Sequence, residues 1–367
     1  MNVCTYQKGA EIIKMGKIRA FLEKKDIVIS AKRYGIDAMS AMANGLFASL
    51  LIGTIISTLG QQFGIDIFVQ IGSYASAVKG AAMAVAIAYA LKCPPLVMFS
   101  LAAVGSAADA LGGAGGPLAV FIIAIIASEL GKAVSKETKV DIIVTPVVTI
   151  FVGCALSMLC APIIGRVASS VGGAIMWATE LQPFLMGMIV AVLVGVALTL
   201  PISSAAICAA LGLTGLAGGA AVAGCCAQMI GFAVMSFPEN RFGGLAAQGI
   251  GTSMLQMGNI VRNPKIWIPP TVASAVCGPV ATCIFKLKMN GAAISSGMGT
   301  CGLVGQIGVY TGWISDIENG LKASITALDW VGLIIVSFVL PAIVTLAVAL
   351  PMRKKGLIKS DDLKLDI

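Results

Sequence analysis

Histidine is missing from all 367 residues, and charge is scarce. The first absence removes the commonest proton shuttle and metal ligand, and with it any phosphohistidine on this chain. The second places the chain outside the soluble globular class. Charged residues make up 11% and hydrophobic ones 58%, with a mean hydropathy of +0.96. Residues 181–238 run for 58 positions without one charge. Aromatics, at 6%, are too few for the paired girdles of a transmembrane β-barrel, and alternating ten-residue dyads are missing as well. The first thirty residues lack the apolar core of a cleaved signal, so the first span is expected to act as an uncleaved insertion signal. What remains is an all-α, polytopic membrane protein. Each crossing of the hydrocarbon core needs roughly 20 apolar residues, and 43 glycines allow close helix packing.

Hydropathy places spans near 40–59, 74–92, 94–111, 117–131, 141–164, 184–205, 214–235, 266–285 and 328–351. Basic residues set their orientation. Lys8, Lys14, Lys17, Arg19, Lys24, Lys25, Lys32 and Arg33 precede the first span, and Arg353, Lys354, Lys355 and Lys359 follow the last. By the positive-inside rule both termini are cytoplasmic, as is the loop holding Lys132, Lys136 and Lys139. The net charge of +8 is therefore a topology signal and not a nucleic-acid footprint. Termini on one side require an even number of crossings, so a re-entrant hairpin or broken helix is expected within 236–264 or 286–327. The expected fold has about ten transmembrane helices with re-entrant hairpins. The expected organisation is a basic segment over 1–36, one membrane-embedded domain over 37–351 and a tail over 352–367. Met15, Ile18 and Leu22 on one side of the first segment suit either an interfacial helix or a solvated tail.

The domain divides loosely into halves, 37–180 and 181–351. "KVDIIVTPVVTIFVGCALSM" (Lys139–Met158) and "KIWIPPTVASAVCGPVATCI" (Lys265–Ile284) each open on a base, place Pro a few residues in, and follow a glycine-rich run. Repeated halves with non-helical segments at the midplane are a recurrent transporter design. The ten cysteines show no metal-ligand spacing and read as small apolar packers. Cys225 and Cys226 are adjacent, which leaves a redox pair as the sharper alternative. No metal or cofactor is expected.

The chemistry concentrates in "SFPENRFGGLAAQGIGTSMLQMGNIVRNP" (Ser236–Pro264). Pro238 and five glycines make poor lipid-facing helix, yet apolar spans flank the segment. Irregular backbone at membrane depth is tolerated where protein or a water-filled cavity satisfies it. Glu239, Asn240, Arg241, Gln248, Thr252, Ser253, Gln256 and Asn259 would line such a cavity with chemistry suited to a polyhydroxylated solute. The alternative is an exposed loop in which Glu239 and Arg241 face water; its low charge favours the cavity. "PISSAAI" (Pro201–Ile207) is either a helix break eased by Ser203 and Ser204 or a simple Pro kink. "NGAAISSGMGTCGLVGQ" (Asn290–Gln306), with Ser295 and Ser296, reads as a second re-entrant element. Lys79 and Asp109 are charges inside spans, costly unless paired or cavity-facing. They suit either a mutual ion pair or an ion-coupling site.

The run "VDIIVTPVVTIFVGCALSMLCAPIIG" (Val140–Gly165), "PISSAAI" and "FPENRFGG" resemble the membrane-embedded IIC component of the bacterial sugar phosphotransferase system. The similarity is closest to stand-alone IIC-like proteins of the perfringolysin O regulator type. The resemblance implies an inner-membrane homodimer with a sugar site in each C-terminal half. A soluble IIB protein, supplied in turn by IIA, phosphorylates the sugar. It also implies that an acid in a glycine-rich hairpin, here Glu239, hydrogen-bonds a sugar hydroxyl and assists its deprotonation. Two departures stand out, the absent histidine and the Pro238-Glu239-Asn240-Arg241 sequence, where Arg241 would pair with Glu239 or attract a phosphate. They leave open a sensor that binds without transferring, and an ion-coupled permease for another small solute.

Overall fold

The computed structural model describes residues 19–365. Cys4, Lys8, Lys14, Met15, Lys17 and Ile18 lie outside them. Every regular element among the described residues is helical, with one isolated antiparallel bridge between Gly215 and Met289.

Helix α1 (Arg33–Phe63) ends on Gly64, whose φ of 67° supplies the left-handed cap. α2 (Asp66–Ala77) and α3 (Lys79–Ala90) follow, bent by 48° at Val78. α4 (Pro95–Gly112) and α5 (Gly116–Val134) each begin with proline in the first turn, where no amide is missed. They form an antiparallel hairpin: Gly113 turns at a φ of 51°, and Gly131 at the far end of α5 packs on Val97 at the start of α4. α6 (Asp141–Thr179) is 39 residues long, which at 1.5 Å per residue is about 58 Å. It outreaches the hydrocarbon core, continuing well past the expected end at residue 164.

α7 (Pro183–Thr199) stops short because Leu200 and Ser203 are extended, so the expected 184–205 span is a helix and then a break. The short α8 (Ser204–Ala210) restarts the chain. α9 (Gly215–Met235) is the central post, buried along nearly its whole length. It touches α7 backbone to backbone: a Cβ at Gly224 would fall on the Ala191 carbonyl, and one at Gly195 would lie 2.6 Å from the Gly224 carbonyl oxygen. α10 (Phe237–Ala246) is broken at Arg241, with φ 52° and ψ −148°. α11 (Met257–Arg262), α12 (Pro264–Ile284), α13 (Val304–Glu318) and α14 (Ala327–Lys354) complete the bundle. Among the described residues, six helices are long and apolar enough to cross a membrane, seven if the bent α2–α3 pair is one span. This is a multi-pass membrane protein.

Both described ends of the chain share one face. Arg33 pairs with Asp26 at 2.7 Å and donates to the Leu91 carbonyl at 2.6 Å. Lys132, almost fully buried, donates to the carbonyls of Asp26 (2.9 Å) and Leu91 (3.2 Å) and pairs with Glu129 at 2.8 Å. From the other terminus, Ile358 and Leu363 are buried in the same apolar cluster as Met39 and Leu91.

Candidate functional site

Helix breaks inside an apolar bundle must place their freed polar groups somewhere. The break at Leu200–Ser203 uses protein partners. Ser203 donates its amide to the Ala114 carbonyl (2.8 Å) and caps α8 by accepting from Ala206 N–H (3.2 Å). Ser204 donates to the Gly297 carbonyl at 2.7 Å, tying this break to the second irregular segment, 293–303. That segment needs left-handed backbone at Gly299, Gly302 and Leu303.

Beside this junction lies a chamber of about 430 Å³, within the roughly 300–1,000 Å³ usual for small-molecule sites. Ser203, Ser204, Thr252 and Ser295 contribute from the C-terminal part of the chain; Thr54, Ser57, Thr58, Gln61 and Lys79 face them from α1 and α3. Hydroxyls and one amide dominate the polar wall, and Lys79 is its one charged residue among the described residues. Asp109 on α4 stands behind it, 3.5 Å from the Lys79 ammonium. The two charges noted within spans are therefore a pair.

The other residues singled out in the sequence lie elsewhere, in two further groups. Ser253 meets Thr199 at 2.8 Å in a buried network around Gln228, whose Oε1 accepts from Thr199 (3.3 Å) and Trp267 Nε1 (3.0 Å). Ser296 is fully buried and donates to the Leu213 carbonyl at 2.6 Å.

The second group is a zipper of amides closed by the chain's own tail. Gln248 donates to Ser236 (2.8 Å), Gln256 to Gln248 Oε1 (2.9 Å), and Asn259 to Gln256 Oε1 (2.8 Å). Their remaining donors grip main chain: Gln256 and Asn240 both reach the Leu363 carbonyl (2.9 and 2.7 Å), and Asn259 reaches that of Lys364 (2.8 Å). Asn240 in return accepts from Leu365 N–H at 2.8 Å. Segment 236–264 is thus neither a solvated loop nor, Thr252 and Met254 apart, a wall of this chamber. Glu239 is only 6% exposed at its side chain and pairs with Arg353 on α14, not with Arg241, which the positive φ turns outward to solvent.

Sequence reasoning missed the contribution of α1. Thr54, Thr58 and Gln61 recur at helical spacing, a polar stripe on one face of a span, and that pattern was the available signal.

Fold and chamber together define a membrane protein with a polar-edged chamber between bundle helices and broken ones. Within that class, the chain belongs to the phosphotransferase system EIIC family, whose model matches residues 36–365. It is accordingly a permease component of that system. No curated protein and no solved structure gives a match.

Proposed function

We propose that the protein carries a sugar across the bacterial inner membrane for phosphorylation by a separate IIB protein, itself supplied by IIA. The observation that carries this reading is the meeting of two helix breaks, at Ser203–Ser204 and Ser295, around one chamber whose otherwise apolar wall carries a set of hydroxyls. A site between the two parts of a bundle, edged by discontinuous helices, suits alternating access. Ser203, Ser204, Thr252 and Ser295 bind the sugar in this reading. The domain would comprise residues 37–351, with about ten transmembrane elements in halves that rock about the chamber. It would work as a homodimer with both termini cytoplasmic.

Glu239 is proposed as the acid that assists transfer, once Arg353 releases it. Asn240, Arg241, Gln248, Gln256 and Asn259 are proposed to bind substrate with it once the tail releases the amides, and Ser253 and Ser296 to support that binding. The test is uptake in vesicles. Phosphorylated product that forms only with phosphoenolpyruvate and the soluble partners, and falls in Glu239→Gln and in Ser203→Ala/Ser295→Ala, supports transport with transfer. Uptake abolished by collapsing an ion gradient supports an ion-coupled permease instead.

A second reading is favoured by one observation: Arg353 occupies both Glu239 oxygens. A protein so locked would bind solute and report it without transferring phosphate. Ligand binding by the purified protein with no uptake under either condition would select this sensor.

A further inference from the structure

We infer that the solute of this chamber is a monoanion, a polyol bearing a single carboxylate, and that Lys79 selects it; the inference rests on the chamber being the solute site. The chamber wall carries one charged residue among the described residues, Lys79. A lysine in a membrane span is costly, and this one is held by a purpose-shaped support. α3 and α4 touch backbone to backbone at Gly80 and Gly105, where a Cβ at Gly80 would lie 2.5 Å from the Gly105 carbonyl and 2.7 Å from Asp109 Cβ. At Gly116, a Cβ would lie 2.5 Å from Asp109 Oδ1. Three glycines therefore set Asp109 against Lys79 without letting the acid reach the chamber, whose lining excludes it.

The pairing is loose. Nζ and Oδ2 are 3.5 Å apart, Oδ1 has no hydrogen-bond partner, and the ammonium makes no other ion pair among the described residues. Three ammonium donors thus face at most one acceptor, with 31% of the Lys79 side chain exposed. The complementary group is an acceptor with negative charge. Asp109 offsets part of the positive potential, so one ligand charge is matched where the two of a phosphate ester are not. The hydroxyls of Ser57, Ser203 and Ser295 and the Gln61 amide remain for the polyol part.

The experiment is equilibrium binding of D-glucuronate, D-gluconate, D-glucose and glucose 6-phosphate to the full-length purified protein, with thermal unfolding as the folding control. Either sugar acid is expected to bind more tightly than glucose and glucose 6-phosphate. Lys79→Met/Asp109→Asn, which removes both charges together and avoids a stranded acid, is expected to weaken acid binding by on the order of 10- to 100-fold and to abolish the preference for acid over glucose. Lys79→Arg should retain the preference. Equal binding of acid and neutral sugar overturns the inference. So does indifference of acid binding to the double variant while Ser203→Ala/Ser295→Ala weakens every probe; that outcome leaves the chamber as the site. Tighter binding of glucose 6-phosphate than of either acid overturns the monoanion assignment. No binding of any probe, or binding insensitive to both sets of variants, removes the chamber along with the charge.

Discussion

Glu239 and Arg353 form a two-pronged ion pair, Nη1 to Oε1 at 2.8 Å and Nη2 to Oε2 at 3.1 Å, while Nη2 also donates to the Met235 carbonyl at 2.9 Å. The fork joins the end of α9, the start of α10 and the end of α14. A planar guanidinium is suited to this geometry and a lysine is not. Removing one partner leaves a poorly hydrated charge. Glu239→Gln is therefore expected to lower stability by about 1–3 kcal/mol, read as thermal unfolding in detergent. Glu239→Gln/Arg353→Met should lose less than the two single variants summed; strict additivity would show that the fork contributes nothing.

The tail is a structural element, held by Asn240, Gln256 and Asn259 and by Asn263, which donates to the Leu357 carbonyl (3.1 Å) and to Asp362 (2.8 Å). Truncation after Gly356 should strand these amides and uncover the cleft of about 540 Å³ between Ser40, Asn259 and Arg262. Asn259→Cys, shielded in the full chain, should then react with a water-soluble thiol reagent. Labelling that is unchanged by truncation would contradict the docking.

Water access separates the three groups of polar residues. Ser295→Cys is expected to label in intact vesicles and to be protected by a bound solute, whereas Ser296→Cys, buried against Leu213, should stay unreactive. The reverse pattern would place the chamber on the wrong side of this segment.

At the shared face, the Arg33 guanidinium hydrogen-bonded to Asp26 holds that carboxyl below its ordinary value of 3.8. A depressed carboxylate contributes stability that is complete above the unfolded value and fades as pH falls through the folded one. The melting difference between wild type and Asp26→Asn should therefore be flat above about pH 5 and shrink below about pH 4. A difference that grows on acidification would reverse the assigned sign. Half of the Asp26 side chain is exposed, so the effect is small.

The α7–α9 contact leaves no room for a methyl group at Gly224, where the obstacle is main chain and not a flexible side chain. Gly224→Ala is expected to destabilise more than a typical point change, by about 2–4 kcal/mol, measured by unfolding or by loss of folded protein in the membrane. An alanine variant with wild-type melting would mean that the helices separate easily.

Hydropathy made much of this architecture legible. Spans expected at 94–111, 117–131, 214–235 and 328–351 fall within a few residues of α4, α5, α9 and α14. Long apolar runs bounded by Pro, Gly or Lys leave little choice in lipid. The break at Val78 was harder to see, because nothing local marks its φ and ψ, whereas Leu200 is marked by Pro201, which disfavours helix at the residue before it. "PISSAAI" and "NGAAISSG" carried their own signal in proline, glycine and hydroxyls, and both border the chamber.

The amide row shows where sequence reading stops. Its composition was plain, but Gln256 meets a carbonyl 107 residues away and Asn240 an amide 125 residues away. Contacts of that span to main-chain atoms leave no pattern in the partner's side chains. An uncharged polar row was equally compatible with gripping a solute and with gripping the chain itself, and the fold uses it for the second purpose.

Because those amides grasp carbonyls, the last stretch of the chain is fastened by its path more than by its spelling. Any ending that follows the same course and drops apolar groups where Ile358 and Leu363 sit would seat as well. The outer side chains there, Asp362 apart, can change sign or size without loosening the clasp, which leaves this short ribbon free to vary the electrical character of one end of the molecule.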